Sequence, residues 1–124
     1  VKGIQTQFKT RFVFHMLLRI AGKYLLYLKQ IDKLSNYVEQ QLHKSMKNKE
    51  LIQLLGLEKS LVYFSTSLKS TETVLEKILR GRVIKLYEED QELLEDVLIE
   101  VKQAIEMSNI YSNILRVQWT HSQA

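Results

Sequence analysis

From Leu17 to Leu42 the apolar side chains return in alternating steps of four and three: Leu17, Ala21, Tyr24, Leu28, Ile31, then Ser35, Val38 and Leu42. That spacing holds one stripe on one face of a helix and matches a coiled-coil seam. Phe12, Leu18 and Leu25 widen the stripe. The pattern predicts a first helix over about residues 8–45, roughly 57 Å long at 1.5 Å per residue. Leu54, Leu57, Leu61, Phe64, Leu68, Thr71, Leu75 and Ile78 repeat the rhythm and predict a second helix over about 48–80. Asn48 can cap its start and Glu50 falls in its first turn. Gly81, placed just after Arg80, supplies a stop that a left-handed residue can make. A third seam of smaller residues, Leu94, Val97, Val101, Ala104, Ser108, Tyr111 and Leu115, predicts a helix over about 88–116. Between the last two, "GRVIKLY" is β-branched but too short and too isolated to pair as a sheet.

Three such stripes predict an all-α fold, an elongated antiparallel bundle running up, down and up, with residues 1–124 forming one helical domain. A compact globule of this size has a radius of gyration of about 14 Å, so helices this long leave apolar positions at ends and edges. Phe14, Tyr24, Leu26, Tyr27 and Tyr37 lie on a wider core stripe or on a second apolar surface that invites self-association.

Composition adds limits. The 124 residues include no Cys and no Pro. Disulfides and thiolate metal sites are thereby excluded, a reducing compartment fits, and long uninterrupted helices are favoured. The longest apolar runs, such as "MLL" and "YLLYL", fall far short of the roughly 20 residues that cross a bilayer, and the chain reads as soluble.

Charge is segregated. Residues 1–50 hold ten Lys/Arg against three acids, whereas residues 85–124 hold three against eight, under a net charge of +4. The acidity is concentrated in "LYEEDQELLEDVLIE", where seven carboxylates fall between Glu88 and Glu100 without one base. Glu88, Glu92, Asp96 and Glu100 recur every four residues, so they form a ridge of neighbours about 6 Å apart on the third helix. Like charges at that spacing oppose the helix by roughly 0.2–0.5 kcal/mol per pair. Three things can offset this: solvent and salt, the bases Arg19, Lys23, Lys29 and Lys33 of a parallel first helix, or a divalent cation, for which carboxylates are hard oxygen ligands.

Other chemistry is sparse. Glu39 and His43 share a helical face without further ligands, His15 reads as a packed or surface residue, and His121 falls in the tail. No phosphate-binding glycine loop or nucleophile elbow is present, and the hydroxyls of "YFSTSLKSTET" have no histidine nearby in sequence to activate them. An enzyme is not expected. The bases of the first helix scatter around its circumference with few aromatics beside them, so nucleic acid is not an expected partner.

The stretches "LEKSLVYFSTSLK" and "LYEEDQELLEDVLIE", together with the segment running on to "NIYSNIL", resemble the CorA family of divalent-cation transporters over about residues 8–115. The resemblance implies a cytoplasmic piece of a homopentameric membrane transporter, with residues 88–115 as the stalk helix that leads to the pore. It implies Mg2+, or Co2+ or Ni2+, as the transported or regulatory ion, with no tightly bound cofactor in this piece. It also implies that acids at subunit interfaces sense that ion. Asp96 in "LEDV" matches one such aspartate, with Glu88, Glu92 and Glu100 as its ridge neighbours. The Gly-Met-Asn signature, paired membrane helices and the family's N-terminal α/β portion have no counterpart here, so the expectation is a fragment that contributes the stalk and sensing rather than conduction. Two readings from other classes stand beside it. One is a helical oligomerisation scaffold without sensing; the other is a di-metal bundle enzyme, which needs buried Glu and His converging in the core.

Overall fold

The computed structural model describes residues 2–45, 48–81 and 84–123. Three helices account for nearly all of them: α1 (Lys2–Ser45), α2 (Asn48–Leu79) and α3 (Glu88–Gln123). The chain is an all-α bundle, and among the described residues there is no strand.

The seams form the core. Leu28 and Leu61 are fully buried, as are Leu94 and Ala104, and Leu54, Leu68, Leu75, Val97, Val101 and Leu115 join them. Partly buried Leu17, Tyr24, Ile31, Leu57, Ile78 and Tyr111 pack around this spine, and Leu18 and Leu25 widen it as expected. The two polar seam residues of α1 and α3 answer their own hydroxyls: Ser35 donates to the Asp32 carbonyl at 2.8 Å, and Ser108 to the Ala104 carbonyl at 2.8 Å. A hydroxyl turned back on its own helix can be buried without an unpaired polar group.

Three expectations are corrected. Helix α1 begins at Lys2 rather than near residue 8, and α3 continues to Gln123 rather than ending near 116. Neither terminal stretch contains proline, and extending a formed helix adds a hydrogen bond for each residue fixed. Phe12, expected on the core stripe, is 65% exposed, whereas Phe14 is buried, on the core side of its two expected places. Phe14 stands seven residues before Ala21 and fourteen before Leu28, so it shares their heptad position, and Phe12 is turned away from it. The third helix packs most closely on α2 and then on α1, and α1 and α2 also pack against each other.

Side-chain bonds fix the directions. Arg11 meets Asp90 and Glu39 meets Gln118, each pair 79 residues apart, so α1 and α3 run parallel and level. On α2 the partners move the opposite way: Glu58 pairs with Arg116 at 3.3 Å, Ser65 donates to Asn109 at 3.0 Å, and Glu76 pairs with Lys102 at 3.4 Å. Gly81 terminates α2 with φ of 73°, its amide donating to the Ile78 carbonyl at 3.0 Å. That left-handed conformation is the one glycine adopts without a Cβ penalty. Among the described residues no helix is long and apolar enough to cross a membrane.

Candidate acidic cation-facing segment

The start of α3 sets the site. Its first turn carries Glu88, Glu89 and Asp90, where carboxylates are stabilised by the positive end of the helix dipole. The Tyr87 carbonyl accepts the first helical bond, from the Gln91 amide at 2.9 Å.

The seven carboxylates then divide by face. Asp90 is only 1% exposed, buried against α1. Arg11 reaches it with Nε at 3.2 Å and spans to Glu89 with Nη2 at 2.9 Å. Glu88, Glu92, Glu95 and Asp96 point to solvent, and Glu100 is half-buried. Among the described residues none of the four ridge acids Glu88, Glu92, Asp96 and Glu100 makes an ion pair.

Of the three ways to offset the ridge's charge, the first-helix bases are therefore not the answer within one chain. Among the described residues Arg19, Lys23, Lys29 and Lys33 of α1 make no ion pair with the ridge. The contribution of α1 comes from Arg11, and goes to Glu89 and Asp90. Sequence reasoning missed this pair, although a signal existed. Asp90 lies four residues before Leu94 and seven before Val97, so it occupies the inward phase of the α3 seam and needed a partner.

Among the described residues no group of three or more His, Asp or Glu side chains converges to hold a metal. The ridge is a line of separate carboxylates, able to attract cations through its field rather than to wrap one. His15 and His43 are exposed, and His43 lies 3.6 Å from Glu39 on its own helix. Asp90, the one buried carboxylate among the described residues, is held by Arg11.

Comparison with known proteins matches residues 2–118 to the family described as CorA-like Mg2+ transporter protein. A curated relative, the cobalt/magnesium transport protein CorA of Methanocaldococcus jannaschii, is 30% identical over 103 residues, covering 83% of this chain and 32% of that protein. The chain thus spans about a third of the length of the curated relative it matches. No solved structure matches.

Proposed function

This chain belongs to the CorA-like Mg2+ transporter family, and on that footing we propose that it serves a divalent-cation transporter as its stalk and cation-sensing part. In this reading α3 is the stalk helix, on the cytoplasmic side of the membrane, and the working unit is a homo-oligomer. Asp96, with Glu88, Glu92 and Glu100, concentrates or senses Mg2+ or Co2+ near the entry to the pore, and conduction is left to other parts of the transporter.

The observation that carries the reading is the ridge. Glu88, Glu92 and Asp96 are exposed and Glu100 half-buried, at a spacing that opposes the helix, and among the described residues no base pairs with them, in a molecule of net charge +4. A line of uncompensated carboxylates attracts a divalent ion more strongly than a monovalent one at equal ionic strength. A ligand that prefers the folded chain raises its stability by RT ln(1 + [L]/Kd).

Thermal melting in about 10 mM Mg2+ against NaCl of matched ionic strength tests this. A larger shift in Mg2+ is expected. Equal shifts would leave the ridge a screened surface and favour the second reading, a helical scaffold without sensing. That second reading draws its own support from the lack of any converging set of three ligands among the described residues.

A further inference from the structure

At one level of the bundle the three seams keep their spacing but lose side-chain volume. Ala21 stands midway between Phe14 and Leu28 on α1, seven residues from each, and Thr71 takes the seam position between Leu68 and Leu75 on α2. On α3 the same level carries Val97 and Val101. None of these four fills the space a leucine would, and a cavity of about 140 Å³ remains between the three helices. Its walls include Ala21, Leu68, Leu75, Val97 and Val101, each 1–3% exposed. Cores ordinarily leave few voids larger than a water molecule, and this one exceeds that several-fold.

The cavity is apolar. Among the described residues no charged side chain lines it, and the Thr71 hydroxyl donates to the Ser67 carbonyl at 3.1 Å. Water gains little in such a place. An apolar cavity of about 150 Å³ stays dry and accepts a hydrocarbon the size of benzene, so the capacity here is about six carbon atoms.

It is not sealed. Ile20, 45% exposed, and half-buried Tyr24 line its outer edge, and the same two side chains run on into a shallow groove with Tyr27 and Phe64. Tyr24 packs edge to face against Phe64, with ring centres 5.5 Å apart. Lys23 lines this groove as well. It is exposed and makes no ion pair among the described residues. Its stem can lie along the apolar wall while the ammonium stays in water. An apolar pocket with a single charged group at its mouth has the usual form of a small-molecule site.

We propose that the cavity takes the hydrocarbon tail of a small amphipathic acid, about six carbons deep, with the carboxylate left at the mouth beside the Lys23 ammonium. The carboxylate stays outside because burying it unpaired costs far more than the tail gains. The site leaves the acidic ridge untouched: Val97 and Val101 face the core, and Glu92 and Asp96 remain exposed.

Octanoate is the probe, with octanol as its neutral match and acetate as the anion without a tail. In methyl NMR spectra of the unaltered chain, octanoate is expected to shift Leu68, Leu75, Val97 and Val101 saturably, and acetate at the same concentration to shift none of them. Ala21→Leu fills the cavity from inside and is expected to abolish those shifts. Val97→Ile, a smaller addition, is expected to weaken octanoate several-fold and keeps the test open should Ala21→Leu fail to fold. Lys23→Met changes only the exposed rim; it is expected to weaken octanoate several-fold and to leave octanol unchanged. Octanoate shifts confined to exposed residues, or unchanged in the filled variants, overturn the cavity as the site. Lys23→Met weakening octanoate and octanol alike, or neither, overturns the place given to the carboxylate.

Discussion

Arg11 and Asp90 stand 79 residues apart in sequence and 3.2 Å apart in space, and Asp90 is the one carboxylate among the described residues that α3 buries. Removing the guanidinium leaves that carboxylate without its counter-charge in a site sealed from water. Arg11→Met is therefore expected to destabilise the bundle by about 3 kcal/mol, the lower end for a broken buried pair because Arg11 itself is partly solvated. Arg11→Met with Asp90→Leu is expected to recover most of the loss, since replacing both partners by apolar groups removes the unpaired charge. Urea unfolding of the two variants measures this, and a double variant no better than the single would show that Asp90 is not the group at risk.

The spine of the core is tested at Leu28 on α1 and Leu61 on α2, both completely buried. Leu→Ala at either is expected to cost about 2–5 kcal/mol, the transfer of the lost methyl groups plus the cavity they leave. A change below about 0.5 kcal/mol in denaturant unfolding, the level of an ordinary surface substitution, would place the residue outside the core.

Asp96→Asn separates charge from shape on the ridge. The substitution removes one like-charge neighbour of Glu92 and Glu100, so stability in NaCl alone is expected to hold or rise slightly. The part of the melting shift specific to Mg2+ is expected to shrink. For a millimolar site that part amounts to roughly 1–1.5 kcal/mol at ten times Kd. An Mg2+ shift unchanged in Asp96→Asn would remove Asp96 from the sensing set.

Alkaline pH reports on Tyr111. Burial, and secondarily the negative charge of Asp32, push its phenol above the ordinary tyrosine value. The folded chain therefore keeps the phenolic proton at a pH where the unfolded chain has released it. The stability this contributes is complete below the unfolded value of about 10 and is lost as pH rises through the folded one. Tyr111→Phe is expected to flatten the decline of melting temperature above pH 10 while leaving the neutral-pH value little changed. The same slope in both proteins would assign the decline to other groups.

How far the sequence could be read depends on what kind of residue carries the information. Leu28, Leu61 and Val101 announce themselves, because an apolar side chain recurring at heptad spacing has one inexpensive place to go. Gly81 does so too, since its freedom at positive φ suits the end of α2. Asp90 does not, because its inward phase and its charge pull the reading in opposite directions, and the partner that resolves them lies 79 residues away. The exposure of Phe12 has another origin: two aromatics two residues apart cannot share a face, and only the longer repeat through Ala21 and Leu28 selects Phe14. The ridge acids were legible as a ridge. That Arg19, Lys23, Lys29 and Lys33 form no ion pair with them among the described residues depends on how the helices pack, and no local pattern encodes that.

The cross-links along α3 have a mechanical consequence. Arg11 and Glu39 pin it to α1 near its two ends, and Glu76, Ser65 and Glu58 pin it to α2 at three heights between Lys102 and Arg116. Sliding α3 along its axis by a helical turn, about 5.4 Å, breaks all five at once, whereas a gentle sway of the whole bundle breaks none. Force applied at one end of α3 is thus shared by three rods acting as a strut, and arrives at the other end as tilt rather than as piston travel.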